Sequence, residues 1–373
     1  MPRPSLFAID LDALVHNVGE LNRLAGQRQT MAVVKANAYG HGAIACAKAL
    51  EARVDAFAVA ITEEAIVLRH AGVTTPILVL QGPHCAEDLQ SMAEHRLWPA
   101  ISNQQQLHWL RTHCESASAT GNNLDDLWLK VDTGMHRLGF APSEVTEVEA
   151  LLKTLGTQRV TLMSHLADAE NTESPLTNRQ IGRWKEISNG HSRRVSDGKQ
   201  TSFSNSASTL SDLSPEETWV RLGYSLYGGS LYGGSMTEVP AGLDLRPVMT
   251  FSSRVSAVRW IEPGESVGYG GRWVATRKSR IATIPVGYGD GYPRSATDGT
   301  PIGTPFGIVP MVGRVSMDMI TVDITDRPEV EMGTEVTMWG KSPSIDEVAA
   351  HCNTIGYELC TRVTERTPRV FNR

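Results

Sequence analysis

The sequence has few cysteines, no long apolar run and no block of basic residues, and each lack excludes a class of protein. Its 373 residues include five cysteines without a C-x-x-C pair, which favours free thiols that pack in the interior of a cytoplasmic protein. No apolar run approaches the ~20 residues of a membrane helix, and Met1–Leu11 lacks the apolar stretch of a signal peptide. We therefore expect no disulfide framework, no metal site and no membrane segment.

The charge of the chain is mildly acidic. Lys and Arg number 35 and Asp and Glu 41, so the formal net charge is −6. This average supplies no positive field for nucleic acid or an anionic membrane, and neither is expected as a partner. Charged residues make up 20% and hydrophobic residues 41% of the chain, as in ordinary globular proteins that bury a sizeable core.

Between residues 10 and 235, short β-branched runs alternate with helical patterns at an even spacing. Strands that alternate with helices predict an α/β protein with a parallel sheet, and eight such units match a (β/α)8 TIM-type barrel better than an open sheet. Functional residues of that fold lie on the loops after the strands. The predicted strands are Met31–Lys35, Ala56–Ala60, Ile77–Leu80, Leu97–Ile101, Leu127–Val131, Val160–Ser164, Thr201–Ser204 and Thr218–Arg221.

From residue 236 to residue 373, helical periodicity gives way to strands separated by Gly and Pro turns, which predicts a C-terminal, mostly-β domain. One helix, Ser344–Cys352, is expected there, with Ser344 and Glu347 forming a capping box. Residues 1–9 are expected to accompany this β domain. A five-residue near-duplication within residues 226–235 is interpreted as the linker between the domains, because it is too short to be a structural repeat.

A lysine closes the first predicted barrel strand. Lys35 begins the run Lys-Ala-Asn-Ala-Tyr-Gly-His-Gly, and a side chain at that position points into the mouth of a barrel. A desolvated amine with a lowered pKa can form a Schiff base with an aldehyde. An isolated lysine before a polar turn is more often a surface residue, so the interpretation depends on the surrounding motif.

That run closely resembles the pyridoxal-phosphate (PLP) attachment motif of bacterial alanine racemases. Further similar motifs follow in the same order along nearly the whole chain. They lie at residues 130–139, 164–165, 204–207 and 221–224 of the barrel and at residues 267–270, 285–294 and 315–318 of the β domain. The resemblance implies a PLP-dependent isomerase that interconverts L-alanine and D-alanine, either to supply D-alanine for peptidoglycan or for alanine catabolism. It also implies a homodimer with shared active sites.

The resemblance implies a cofactor site at the mouth of the barrel. Ser206, Gly223 and Tyr224 follow the last two predicted strands, where barrels commonly bind phosphate through backbone amides and a helix N-terminus. Arg221 faces the pyridine nitrogen in the family, and since arginine keeps its proton, that nitrogen should stay unprotonated. The implied cofactor-binding residues are Lys35, Tyr39, His165, Ser206, Arg221, Gly223 and Tyr224.

Racemisation needs a base on one face of the substrate and an acid on the other. The resemblance assigns these catalytic roles to Lys35 and Tyr269, with Tyr269 contributed by the partner subunit. In the family, His165 links Arg221 to this tyrosine through hydrogen bonds. The reference pKa values of lysine and tyrosine are ~10.4 and ~10, so positive charge and desolvation must lower both.

Other implied residues bind the substrate or support the site. Arg137 offers a planar donor fork to the substrate carboxylate, and the amide of Met317 is expected to help. Lys130 lies where some members carry a carbamylated lysine. Tyr288, Tyr292 and Arg294 resemble an entrance corridor that limits substrate size, and Asp318 is expected to be a supporting residue.

The chain departs from the family near its C-terminus. Some members place a tyrosine that touches the phosphate just before an Arg-Val-Pro-Arg stretch, whereas this sequence has Glu365 before Arg366. A carboxylate beside a phosphate would repel it. The phosphate then relies on Tyr39, Ser206 and backbone amides, or the C-terminal segment runs differently.

Three other functions are weighed against alanine racemisation. A racemase of broader specificity for small amino acids, such as serine, would use the same residues. A single-barrel PLP-homeostasis protein would lack the β domain and Tyr269. A basic amino-acid decarboxylase with both domain types would need its own motifs in place of Arg221 and the Tyr269 loop.

Overall fold

A computed structural model describes residues 3–117, 124, 126–155, 159–194, 200–211, 213, 217–229 and 242–372, with the side chains of 117 and 192–194 excepted. The chain divides into two compact units. The barrel unit comprises Val18–Ala38 and Ala43–Leu226, and the β unit comprises Met1–Asn17, Tyr39–Gly42 and Tyr227–Arg373. The first strand and helix are β1 (Leu6–Asp10) and α1 (Leu11–Ala25).

Eight parallel strands close into a barrel in chain order, which confirms the predicted fold class. The strands are β2 (Gln29–Val33), β3 (Ala56–Val59), β4 (Ile77–Val79), β5 (Leu97–Ile101), β6 (Asp126–Lys130), β7 (Arg159–Met163), β8 (Thr201–Ser202) and β9 (Trp219–Leu222). Between and after them lie α2 (Lys35–Tyr39), α3 (Ala43–Leu50), α4 (Thr62–His70), α5 (Ala86–Glu94), α6 (Gln104–Ala117), α7 (Val145–Thr154), α8 (Pro175–Arg194) and α9 (Ser206–Leu210). Short 3-10 turns lie at Pro142–Glu144 and Tyr224–Tyr227.

Aromatic side chains pack at the N-terminal end of the barrel. The rings of Trp98, Trp128 and Trp219 lie with centroids 5.7 to 6.1 Å apart. Trp219 is the first residue of β9 and Trp98 the second of β5. This apolar packing leaves the C-terminal ends of the strands for polar side chains, as the barrel fold requires.

The described residues of the β unit form three sheets. A six-stranded sheet has the order β16-β15-β18-β10-β1-β19, a second the order β11-β14-β17, and β12 pairs with β13. The strands are β10 (Met249–Arg254), β11 (Ala257–Ile261), β12 (Ser266–Val267), β13 (Trp273–Val274), β14 (Ser279–Ile284), β15 (Pro301–Thr304), β16 (Gly307–Pro310), β17 (Ile320–Asp323), β18 (Glu335–Trp339) and β19 (Arg369–Asn372). Its helices are α10 (Ile345–His351) and α11 (Gly356–Thr361), with 3-10 turns at Tyr269–Gly271 and Tyr288–Asp290.

The N-terminal strand belongs to the large sheet of the β unit. Strand β1 pairs antiparallel with β10 and parallel with β19, although the three are far apart in sequence. The ring centroid of Phe251 lies 4.3 Å from that of Phe7 and 4.9 Å from that of Trp339, so this sheet contributes an aromatic core. Pairing over such a sequence distance leaves no local signal that could have predicted it.

Several sequence-based expectations need correction or fall outside the described residues. The expected helix at Ser344–Cys352 is present as α10 with its capping box, but α11 is a second helix that was not predicted.

The barrel unit ends at Leu226 rather than at 235, and most of the proposed linker lies outside the described residues. Cys46, Cys352 and Cys360 are buried, whereas Cys85 is exposed, so the packing interpretation is wrong for Cys85. Among the described helices, none has the length and apolarity to cross a membrane.

Candidate active site

Lys35 begins a left-handed turn directly after β2. The φ angles of Ala36, Asn37 and Ala38 are 51°, 55° and 54°, a conformation that costs an L-residue roughly 1–2 kcal/mol. The Ala38 N–H donates to the Val34 carbonyl at 2.9 Å. Such strain in a run of non-glycine residues is typical of functional sites, and here it directly follows the candidate lysine.

Four cationic side chains lie close enough in the barrel unit to affect one another, and we call Lys35, Lys130, Arg137 and Arg221 the cationic cluster. Burial, followed by the charge of Arg137, lowers the pKa of Lys35. Burial, followed by Arg221 and Arg137, lowers the pKa of Lys130 to about 8. A cluster of like charge with buried members such as Lys130 and Arg221 favours neutral amines and attracts anions. Lys35, Arg137 and Arg221 thus act on one another electrostatically in the structure.

Arg221 joins the ends of three barrel strands. Its Nη1 donates to the Ser202 Oγ at 2.6 Å, and its Nη2 donates to the Ser164 carbonyl at 2.6 Å. Burial lowers the pKa of Arg221 to about 10, with the carboxylate of Glu217 opposing this effect. Arg221 therefore still carries its charge at neutral pH, and it is held rigidly in the mouth of the barrel.

His165 is a neutral imidazole beside this arginine. Its Nδ1 lies 3.2 Å from the Arg221 Nη2, and because a guanidinium can only donate, Nδ1 must accept. The proton of the ring therefore resides on Nε2. Burial, followed by the charge of Arg221, lowers the pKa of His165 well below its ordinary value. His165 consequently presents an Nε2–H donor.

Two predicted phosphate-binding residues meet at the ends of β8 and β9. The Gly223 N–H donates to the Ser206 Oγ at 2.8 Å. Ser206 is the first residue of α9, which Asn205 caps by accepting the Ser208 N–H at 3.0 Å. Tyr224 follows Gly223 and is buried. The Ser206 hydroxyl and the Gly223 amide thus lie together at this end of the barrel.

The loop after β6 presents Arg137 to solvent. Asp132 Oδ1 accepts the N–H groups of Gly134, Met135 and His136 at 2.8, 3.0 and 3.1 Å. These bonds fix the loop next to Arg137, whose side chain makes no hydrogen bond or ion pair within the part of the chain that the structure describes. Its guanidinium is therefore available to a carboxylate.

In the β unit, Tyr39 packs among other aromatic residues. Its ring centroid lies 5.1 Å from that of Tyr227 and 6.0 Å from that of Tyr357. Burial, followed by the charge of Cys360, raises the pKa of Tyr39, so its hydroxyl remains protonated and can donate. Glu365 is exposed, and two tyrosines, Tyr227 and Tyr357, lie next to Tyr39.

Tyr269 lies at the surface of the β unit. The side chain is 73% exposed, on a short turn that follows Gly268 with φ 76°. Arg272 anchors the next residues because its Nη2 donates to the Gly313 carbonyl at 2.7 Å and to the Asp298 Oδ1 at 3.0 Å. Tyr269 is thus held on an anchored loop while its ring faces solvent.

Met317 and Tyr288 lie on two connected loops of the β unit. The Met317 side chain is 53% exposed, its carbonyl accepts the Gly289 N–H at 2.9 Å, and the Tyr288 N–H donates to the Ser316 carbonyl at 3.1 Å. The loops that carry Met317, predicted to bind substrate, and Tyr288, predicted to line the entrance, are therefore joined by backbone hydrogen bonds.

The remaining predicted residues differ in their surroundings. Arg294 is exposed, and Asp318 accepts a hydrogen bond from the Arg366 Nη2 at 2.5 Å, which suits a supporting role. Tyr292 is only 1% exposed, and its ring stacks on Trp339 at 6.1 Å. This packing in the core of the β unit argues against the predicted entrance role of Tyr292.

Comparison with known families identifies the chain. The family model of the alanine racemase N-terminal domain matches residues 9–231, and that of the alanine racemase C-terminal domain matches residues 248–371. The chain belongs to the alanine racemase family. Alanine racemases are PLP-dependent isomerases, so the resemblance on which the sequence analysis rested is confirmed.

Individual alanine racemases match over the full length. The alanine racemase of Alteromonas mediterranea is 41% identical over 370 residues, which cover 99% of each chain. That of Chromohalobacter salexigens is 43% identical and covers 100% of this chain and 98% of its own. The solved structure of the biosynthetic alanine racemase from Pseudomonas aeruginosa is similar with a TM-score of 0.90, at 39% identity and complete coverage of both chains.

The donor set of the barrel unit fits the cofactor that alanine racemases use. PLP has an aldehyde, a phosphate and a pyridine nitrogen, for which the barrel offers the Lys35 amine, the Ser206–Gly223 pair and Arg221. Within the described residues, the Nε–H of Arg221 has no acceptor, so one edge of the guanidinium can meet a ring nitrogen. The residues present therefore match all three groups.

Three residues near these sites were not predicted from the sequence. Ser202 accepts from Arg221, and the Glu217 Oε2 accepts the Phe203 N–H at 2.5 Å. Neither lies in a motif, and the predicted strand Thr201–Ser204 does not single out Ser202 because three of its four residues are polar. Tyr357 lies on α11, which was not predicted either.

Proposed function

We propose that this enzyme interconverts L-alanine and D-alanine with PLP bound at the mouth of the barrel. The observation that supports this most strongly is the cationic cluster, which suits an anionic cofactor and a carboxylate substrate. When bound, PLP supplies the electron sink that acidifies the hydrogen on the substrate α-carbon. The names of the relatives do not favour a racemase of broader specificity.

Lys35 is proposed to attach the cofactor and to move the α-proton on one face. Its lowered pKa increases the fraction of neutral amine at neutral pH, and only the neutral amine is a nucleophile or base. The strained turn that follows it limits the directions in which the side chain can point. The lysine is thereby directed toward the mouth of the barrel.

Arg221 and His165 are proposed to act as a polar relay. Arg221 retains its proton and donates to the ring nitrogen, so this nitrogen stays unprotonated and the electron sink is moderate. His165 receives a hydrogen bond from Arg221 at Nδ1, so its ring proton lies on Nε2. That donor is suited to the phenol oxygen of a tyrosine.

Tyr269 is proposed to serve as the second acid or base, from the partner subunit of a homodimer. Its 73% exposure within its own unit is poorly suited to proton transfer, which needs a site shielded from water. Docking against a second copy would cover this ring. Met317 lies on an exposed loop of the same unit and is proposed to accompany Tyr269 into the shared site.

Substrate selection is proposed to depend on binding of the substrate carboxylate and on the width of the entrance to the active site. Arg137 would hold the carboxylate as a planar donor fork, with help from the Met317 amide. Tyr288 and Arg294 would narrow the entrance to small amino acids. Lys130 has an accessible neutral form near pH 8, and a neutral amine is the form that reacts with carbon dioxide to give a carbamate.

The proposed reaction is tested directly with purified protein. Supplied with PLP, the enzyme should convert L-alanine to D-alanine, measured by polarimetry or a coupled oxidase assay, with L-serine and L-lysine turned over much more slowly. Comparable rates on L-serine would instead support the broader racemase. Absence of any racemisation by PLP-loaded protein would refute the proposal.

The shared site is tested by mixing two inactive variants. Lys35→Ala and Tyr269→Ala subunits should regain part of the activity after subunit exchange, because one of the two mixed sites then has both residues. Failure to recover activity after exchange has been demonstrated would refute the dimeric arrangement. We also propose a cytoplasmic location, on the basis of unpaired cysteines such as Cys46 and Cys360.

A further inference from the structure

Glu64 is attached by both carboxylate oxygens to the backbone around Lys35. The residue belongs to the first turn of α4, and its Oε1 accepts the Ala36 N–H at 2.6 Å. Its Oε2 accepts the Ala60 N–H at 2.8 Å. One carboxylate therefore bridges the backbones that follow two neighbouring barrel strands, β2 and β3.

The first of these bonds stabilises a backbone conformation that is unfavourable for residues other than glycine. Ala36 opens the left-handed run that continues through Asn37 and Ala38, and none of these residues is a glycine. The Asn37 Oδ1 accepts the Ala43 N–H at 2.8 Å, which secures the far side of the turn. Glu64 secures the near side through a charge-assisted hydrogen bond, the stronger kind.

Glu64 also affects the charge of Lys35. Burial and the cationic residues Arg137 and Arg221 lower the pKa of Lys35, whereas the Glu64 carboxylate raises it. The carboxylate thus offsets part of the positive field of the cationic cluster. A change at Glu64 therefore affects both the position and the protonation of the lysine.

From this geometry we propose that Glu64 is a positioning residue for Lys35, which it serves by fixing the left-handed turn and by supplying a local negative charge. The proposal rests on the role of Lys35 given under the proposed function. The competing role is helix capping in a broad sense, because the bond to Ala60 tethers the residue that precedes Ile61, the N-cap of α4. Only the bond to Ala36 and the charge effect reach Lys35.

Two substitutions separate the two contributions, and the adjacent Glu63 supplies a matched control. Glu64→Gln keeps the length of the side chain but removes its charge and one acceptor. Glu64→Asp keeps the charge but is too short to span both N–H groups. Glu63→Gln removes one charge from the same helical turn at an exposed position that makes no hydrogen bond within the described residues.

The first measurement is independent of turnover. The pH dependence of Lys35 acetylation by trace acetic anhydride is followed by mass spectrometry on the full chain prepared without PLP. Loss of a nearby negative charge disfavours the ammonium, so Glu64→Gln should move the midpoint of Lys35 downward by about half a pH unit or more. Glu64→Asp should move it much less, and Glu63→Gln should leave it unchanged.

The second measurement is kcat on L-alanine with PLP-loaded enzyme, at a temperature well below each unfolding midpoint. We expect Glu64→Gln and Glu64→Asp to lower kcat about 10-fold to 100-fold, since a small misplacement of a reacting group has effects of this size. A lower Tm with unchanged kcat and unchanged Lys35 midpoint would assign Glu64 to helix capping and overturn the proposal. If Lys35→Ala retained activity, the role proposed for Lys35 would fail, while the midpoint measured on the Glu64 variants would still show whether Glu64 affects Lys35.

Discussion

Removing the Arg3 guanidinium should destabilise the β unit, because its ion-pair partner is completely buried. Asp290 is 0% exposed, and Arg3 binds both of its carboxylate oxygens, with the Nη2–Oδ2 distance at 2.5 Å. Asp290 also accepts the Gly287 N–H at 2.9 Å and the Thr367 hydroxyl at 3.1 Å. The substitution Arg3→Met keeps the apolar stem and removes only the charge and its donors.

The size of the effect follows from the surroundings of the carboxylate. Removing one partner of a buried pair costs about 3–5 kcal/mol, because the other charge stays buried without compensation. Here the expected loss of stability is smaller for two reasons. The Arg3 side chain is 28% exposed, and the Arg366 Nε, 3.5 Å from the same carboxylate, still compensates part of its charge. We expect a loss of about 2–3 kcal/mol in the free energy of unfolding at pH 7.

The pH dependence distinguishes lost charge compensation from lost packing. Burial opposes ionisation of Asp290, but the hydrogen bonds of Arg3 and Gly287 hold the pKa of Asp290 below its ordinary value. In the native protein this stabilisation is therefore present above ~3.9, the unfolded pKa, and is lost as the pH falls through the folded pKa. In Arg3→Met, burial should raise the folded pKa, so the deficit should shrink as the pH falls from 7 toward 4.

The assay is urea unfolding followed by far-ultraviolet circular dichroism at pH 7 and pH 5, with Asp290→Asn as the control. The asparagine keeps the volume and removes the buried charge, so it should cost less than Arg3→Met at pH 7. A loss below about 0.5 kcal/mol for Arg3→Met, or a deficit that grows on acidification, would refute the reasoning.

Four further predictions concern the candidate site and its framework. Lys35→Ala should abolish racemisation and the visible absorbance that borohydride reduction traps in PLP-loaded wild type, and an unchanged spectrum would mean that another lysine binds the cofactor. Tyr269→Phe should retain PLP but lower kcat by about 100-fold or more, so turnover near that of wild type would remove the phenol from the mechanism. Arg221→Met should lower the thermal midpoint and raise the pKa of His165 toward its ordinary value, measured by NMR, because a neighbouring positive charge is removed. Gly291→Ala should cost about 2 kcal/mol or more, since φ is +99° and a Cβ would lie 2.5 Å from the Arg362 carbonyl oxygen, whereas Gly299→Ala at φ +90° has no atom within 4 Å and should cost less. Equal thermal midpoints for these two glycine variants would contradict the clash.

Much of the barrel could be predicted because its signals are local. Most strands are short β-branched runs, and helical patterns follow the first six of them, so the alternation of the two patterns predicted the order of the eight strands. Lys35, His165 and Arg221 could be assigned to the same end of the barrel for a related reason. Parallel strands bring their C-terminal ends to one edge, whatever the sequence distance between them.

The β unit was less predictable because its sheets join distant segments. The pairing of Phe7 with Phe251 and with Arg369 depends on residues more than 240 positions apart, and no window of sequence contains such a pair. The burial of Tyr292 has the same origin. Its position in a tyrosine-rich motif indicated an entrance, whereas the packing of Trp339 against it determined that it lies in the core.

The sequence by itself determined the barrel, the β domain, the family and the identity of the candidate lysine, since motif and periodicity are properties of neighbouring residues. Only the tertiary structure decided how the backbone around that lysine is fixed and in which direction its pKa is shifted. The left-handed turn, the bridge from Glu64 and the mutual effects of the cationic cluster arise where separate strands and helices meet. Hydrogen bonds and electrostatic interactions depend on distances in space, and these distances exist only once the chain has folded.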